Sequence, residues 1–425
     1  MWLLISFVLV YAFTIFFPFY PFRFGGISFL PLDPIYFLMI LKIGRYALTH
    51  PTSMTKLIRE NVFLTAFVAM VVLYVILCTP IYGQSAIGEA RKYYFGFLLP
   101  WWAWISIKSP TDFRRLFLVV IFIAIIIAFV AVAELVMYGT IVRALNAEAT
   151  LTLALVVFAM LIHRIYKMVI VTPLVDKCLL LLFTVIVLGS GQRSVWLGVM
   201  FGCILMLLLY CRRPTIMAKM LMLGFVVLIA VPAAMIMFPE SGSRLVEKFG
   251  GIENPYSDAN ASWRIEGWEA QWKTVKDNIF FGDGLGSYYF WQREGQYAGV
   301  EVKAFPHNAY LQMMLKFGLF GLLLYVLLAL EFFSETLRIR RKLIPGPMRA
   351  YVELGIITFG ATHAYILGYG IEQISLIFFA IAIAAAKLSQ PSFQASRFRT
   401  RAVRNDPRIG SQRFRLQSVP RTIRP

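Results

Sequence analysis

Two arginines and a histidine carry the residue types from which chemistry can be built. Arg193 opens an apolar run after a glycine-rich break, LGSGQRSVWLGV, Arg264 lies in SWRIEGWEAQW, and His307 follows a proline in AFPHNAYLQMMLKFGLFGLL. A guanidinium offers planar, paired donors to phosphate oxygens. An imidazole with a reference pKa of about 6.5 is mostly neutral at pH 7 and accepts a proton. Two such cations and a neutral base suit the displacement of an anionic leaving group. Each residue alone also has a plainer reading, the arginine as a side chain that snorkels to a headgroup and the histidine as a structural group. Gln192, Trp268, Trp272, Asn308 and Lys316 are secondary candidates for substrate contact. Asn308 can orient a partner of His307, and Lys316, about two and a half helical turns further on, either snorkels outward or lends positive charge to a cavity.

These residues need membrane helices to hold them. The chain is 59% hydrophobic, has a mean hydropathy of +0.72 and contains runs such as LFLVVIFIAIIIAFVAVAELV. Since roughly 20 apolar residues cross a hydrocarbon core, it reads as an all-α polytopic integral membrane protein of about 12 transmembrane helices. The organisation expected is helices 1–9 over residues 1–238, one large loop over 239–307, helices 10–12 over 308–388 and a basic, disordered tail over 389–425. The fourth span is placed at Tyr93–Ile107 and the ninth at Met217–Phe238. Most of the 41 Lys and Arg residues fall in alternate loops and in the tail. The positive-inside rule makes that side, with both termini, cytoplasmic. The first segment, MWLLISFVLVYAFTIFF, lacks a basic n-region and reads as a retained span. The net charge of +19 is therefore sorted by side, and the Arg-rich tail reads as facing anionic lipid, with no nucleic-acid partner. Cys78, Cys178, Cys203 and Cys211 fall in or beside spans and read as buried apolar thiols.

The large loop and the short connections TPIYGQSAIGEARK and GSGQR then face the outer side of the membrane. Within the loop, Arg264, Trp268, Gln271, Trp272 and Val275 recur at helical spacing. Such a face is either an amphipathic helix resting on headgroups or a sugar-stacking and phosphate-binding surface. Asp258, Asn260 and Ser262 are its possible N-caps. The GxGxG stretch in FFGDGLGSYYFW has no strand–turn–helix context for a nucleotide site and reads as a tight turn returning the chain to the membrane. A transporter needs facing ionisable groups near the midplane. Only Glu134, Glu353 and His363 are candidates, and each reads as an interhelical hydrogen-bonding residue or a span-end residue rather than a relay.

In GSGQRSVWLG, SWRIEGWEAQW, NIFFGDGLGSYY and HNAYLQMMLKFGLFGLL, from roughly Leu180 to Leu330, the sequence resembles the O-antigen ligase and O-antigen polymerase family of bacterial envelope enzymes. The resemblance implies a GT-C-like fold in the inner membrane. It implies a metal-independent inverting glycosyltransferase, without cofactor, that takes a glycan from undecaprenyl diphosphate at the periplasmic face. Arg193 and Arg264 then hold the diphosphate, and His307 activates or positions the acceptor hydroxyl. The family divides by acceptor into ligases, which use lipid A–core, polymerases, which extend a lipid-linked chain, and some relatives that glycosylate protein. The single dominant outer loop favours the ligase.

Overall fold

In the computed structural model the described residues are 1–16, 22–24, 27–138, 145–168, 171–218, 259–293, 299–303, 307–370 and 373–388, with positions 224, 229 and 236. The expected ninth span, most of the first third of the large loop and the basic tail lie outside them. Helices α1 (Trp2–Phe16), α2 (Asp33–Thr49) and α3 (Pro51–Glu60) lead into α4 (Val62–Tyr82), α5 (Gln84–Ser106) and α6 (Pro110–Tyr138). Then come α7 (Ala147–Ile165), α8 (Pro173–Gly189), α9 (Arg193–Tyr210), α10 (Ala259–Val275), α11 (Ala309–Lys342), α12 (Pro347–Tyr365) and α13 (Gln373–Leu388). Five of the described helices, α4, α6, α7, α9 and α11, are long and apolar enough to cross a membrane. Among the described residues, the other expected spans are shorter or more polar helices. A multi-pass helical membrane protein is the result.

Three expectations change. The connection TPIYGQSAIGEARK is not a loop: α4 runs to Tyr82, Gly83 alone turns the chain with a φ of 58°, and α5 starts at Gln84. The left-handed conformation that glycine tolerates replaces a loop of fourteen residues' worth of sequence with one hinge, and it places Glu89 and Arg91 on a helix. Second, the large loop holds strands beside its expected helix. An antiparallel hairpin pairs β3 (Tyr289–Arg293) with β4 (Gly299–Lys303), and a smaller one near the start of the chain pairs β1 (Phe22–Phe24) with β2 (Ile27–Phe29). Third, only Cys78 of the four free cysteines is buried, whereas Cys178 and Cys211 are exposed.

The core centres on α12, which is buried along almost its whole length and packs most extensively against α13 and α9. Small residues allow this approach. A Cβ on Gly198 of α9 would come within 2.8 Å of the Ala361 carbonyl oxygen, and one on Gly355 would lie 2.0 Å from Ala382 Cβ. Tight backbone contact of this kind drives helix association where lipid removes the hydrophobic difference. At the end of the bundle away from the large loop, Glu353 of α12, fully buried, ties four elements together. It accepts from Tyr166 (2.8 Å), Tyr210, Arg340 Nε (2.7 Å) and Arg349 Nε (3.0 Å). Burial and the neighbouring Glu353 carboxylate push the Tyr166 hydroxyl up to about 12. Glu353 is thus the interhelical hydrogen-bonding residue its position suggested.

Candidate active site

The site is built on the start of α11. Asn308 is the N-cap, its Oδ1 accepting from the backbone N–H of Tyr310 (3.0 Å) and Leu311 (3.1 Å), two donors the first helical turn would leave unpaired. The Ala309 N–H donates to the Ile366 carbonyl at 3.0 Å, and the Tyr310 hydroxyl donates to the His363 carbonyl at 3.2 Å. The chain leaving α12, Ile366 to Tyr369, is therefore folded over the first turn of α11.

Further along, α11 is broken. Gly318 has φ 63° and ψ −165°, a conformation essentially reserved for glycine. The break parts two helical hydrogen bonds, and the glycine loop replaces both of them. The N–H groups of Leu319 and Phe320 donate to the carbonyls of Ile279 (2.7 Å) and Phe280 (3.1 Å). In return, the N–H groups of Asp283 and Gly284 donate to the orphaned carbonyls of Leu315 (2.7 Å) and Lys316 (3.1 Å). All four backbone groups stay paired, as an apolar setting demands. The glycines are needed for this fit, because a Cβ on Gly282, itself at φ 68°, would sit 2.6 Å from Gly318 N. The GDGLG stretch is thus not a simple turn back to the membrane. It is a plug seated in a helix.

Lys316 neither snorkels nor borders an open cavity. Its ammonium is fully buried, pairs with Glu89 Oε2 of α5 at 2.9 Å, and donates to the carbonyl and hydroxyl of Ser287. Glu89 also accepts from the Gly286 N–H (2.8 Å) and from Gln312 Nε2 (3.3 Å). A buried charge survives only when paired and hydrogen-bonded. Here the pair joins α5, α11 and the end of the plug.

Above this base two of the three leading candidates, Arg264 and His307, meet at Tyr369. The His307 ring lies 5.6 Å from the Tyr369 ring, edge on, and the Arg264 guanidinium lies over the same ring at 5.1 Å. Tyr365 stacks behind Tyr369 at 5.3 Å and 10°. On its other side, His307 meets Trp263 at 5.3 Å, and Trp263 meets the buried Trp291 of β3 at 5.1 Å. Gly368 closes the set: a Cβ there would lie 3.1 Å from Ser194 Cβ and 3.5 Å from an Nη of Arg264. Ser194 follows Arg193, the first residue of α9. The N-terminus of α9, the α10 arginine and the histidine before α11 thus converge at one end of the bundle. His307 itself sits at φ 52°, a left-handed conformation that costs a non-glycine residue energy and is found where surroundings impose it.

The secondary candidates fare differently. Gln192, the N-cap position of α9, donates to the Leu145 carbonyl at 3.2 Å. Trp268 is half-buried and Trp272 is 37% exposed. The indole that touches His307 is Trp263, which the helical spacing of Arg264, Trp268 and Trp272 passed over. Gln271 and Val275, on the face that was expected, are buried against α11 and the hairpin; Gln271 Nε2 donates to the Leu311 carbonyl at 2.8 Å. The helix begins at Ala259, so Asn260 and Ser262 lie within it and do not cap it, while Asp258 lies outside the described residues. Glu89 and Tyr369 were missed because their elements are distant in sequence. A lysine inside an apolar run, Lys316, was the one signal that a carboxylate had to be near. Among the described residues, no group of three or more His, Cys, Asp and Glu is arranged to hold a metal ion.

Residues 178–326 match the family model of O-antigen ligase. The matched segment runs from α8 into α11 and contains Arg193, Arg264, His307, Lys316 and the plug. Glu89 and Tyr369, which complete the geometry, lie outside it. No curated protein matches the chain.

Proposed function

We propose that the protein is an O-antigen ligase, a glycosyltransferase that moves O-antigen glycan from undecaprenyl diphosphate to a sugar hydroxyl of lipid A–core. The observation that carries this reading is the shared contact of Arg264 and His307 with one ring, with the start of α9 pressed against Arg264 through Gly368. Arg193 and Arg264 hold the diphosphate. His307 takes the proton of the acceptor hydroxyl as its oxygen attacks the anomeric carbon. The new glycosidic C–O bond forms, the bond from that carbon to the diphosphate oxygen breaks, and the configuration inverts. Guanidinium charge offsets the charge developing on the leaving group, so the reaction needs no divalent ion. The site then faces the periplasm from the inner membrane, both termini are cytoplasmic, and the lipid surface confines donor and acceptor to two dimensions.

The test is glycan transfer from the lipid-linked donor to lipid A–core by purified protein in detergent with EDTA, followed by gel shift. Wild type transfers in EDTA, and His307→Ala falls by about 10²–10⁴-fold, the range for loss of a general base. Lengthening of the donor glycan without acceptor shift identifies a polymerase. Transfer that is indifferent to His307→Ala refutes the assignment of the site.

A further inference from the structure

Tyr369 lies outside the segment that matches the family model, and nothing about its sequence neighbourhood, GYGIEQ, marks it for chemistry. Its surroundings do. One ring carries the Arg264 guanidinium over it at 5.1 Å, meets the His307 ring at 84° and 5.6 Å, and is backed by Tyr365 at 5.3 Å. Backing by Tyr365 restricts where the ring can go, because stacked aromatic pairs prefer a narrow set of geometries. A guanidinium over an aromatic ring is attracted to it, and that contact leaves the N–H donors around the edge of the plane available. Those donors are the atoms that bind a diphosphate in paired fashion.

We propose that Tyr369 is a positioning residue that fixes Arg264 and His307 relative to each other, presenting the guanidinium edge to the donor diphosphate while holding the imidazole beside the acceptor. The inference rests on the ligase reading above. It assigns to the segment after α12 a part in binding the donor, through the aromatic ring and not through the hydroxyl. Small displacements of groups that meet only in the transition state cost large factors in rate. Loss of the ring therefore affects both donor binding and turnover.

The experiment measures kcat and KM for the undecaprenyl diphosphate-linked donor in the full-length protein, for Tyr369→Phe, Tyr369→Leu and Tyr369→Trp, with Arg264→Gln and His307→Ala as controls. Tyr369→Phe stays within about threefold of wild type, whereas Tyr369→Leu raises the donor KM about tenfold and lowers kcat, as loss of a partly desolvated cation–π contact implies. In the Arg264→Gln background, Tyr369→Leu leaves KM unchanged, because the guanidinium it would release is already gone. An unchanged KM in Tyr369→Leu, or an equal loss in Tyr369→Phe, overturns the proposal. Where Tyr369→Leu does not fold by thermal melting, Tyr369→Trp decides: a donor KM within about threefold of wild type supports the role of the ring, and a tenfold rise overturns it. Full activity in both control variants sinks the ligase site itself, an outcome distinct from a failure confined to Tyr369.

Discussion

At the scale of single residues, the buried charges divide into those that hold the bundle and those near the site. Lys316 and Glu89 belong to the first group although they lie directly beneath the second. Removing one partner strands the other in a low-dielectric interior, which costs about 3–5 kcal/mol. Lys316→Met is therefore expected to lower the thermal midpoint in detergent by several degrees. The double variant with Glu89→Gln should recover part of that loss, and a double variant no more stable than Lys316→Met would disprove the pairing account. Arg193, Arg264 and His307 stood out as candidates by residue type and by their place beside apolar runs. Trp263 and Tyr369 were not, since an aromatic residue in a membrane protein is unremarkable until its neighbours are known.

At the scale of elements, helix positions followed the apolar runs closely, as in α4, α6 and α7, because in lipid every backbone group must be satisfied within the segment. What hydropathy could not reveal was the break in α11, where the sequence KFGLFGLL is continuous in character and the interruption depends on a partner forty residues upstream. Gly318→Ala tests this. The added methyl meets Phe280 carbonyl atoms at 2.3 Å and forces a conformation reserved for glycine, worth about 1–3 kcal/mol in strain alone. Thermal melting should show a clear loss for Gly318→Ala and almost none for Gly44→Ala, where nothing lies within 4 Å of the new Cβ. Equal melting of the two would mean that the break tolerates a side chain. The short connection after α4 was misjudged for a related reason: polar residues such as Glu89 and Arg91 read as loop, yet each finds a charged partner within the fold, Lys316 and Asp33.

At the scale of the whole molecule, the two ends of the bundle are built differently. One end gathers the site, while the other is fastened by the buried Glu353 with its arginines and tyrosines. Residues so far apart act independently on stability and function. Glu353→Leu leaves Arg340 and Arg349 without their carboxylate and should reduce the thermal midpoint. Turnover per folded molecule, measured in the same gel-shift assay, should stay that of wild type; a fall in kcat would show that the two ends communicate. The multi-pass helical character and the likeness of residues 178–326 to the O-antigen ligase family model were readable from composition and motif, whereas the assembly of the site from α9, α10, α11 and the exit of α12 required the fold. The plug also bears on how such proteins can diversify. Because the glycine loop completes the backbone of α11 and α11 completes that of the loop, neither can be exchanged for a counterpart from a relative unless the other travels with it. A recombinant that grafts a foreign outer loop with its own helix should assemble, and one that grafts the loop alone should be degraded.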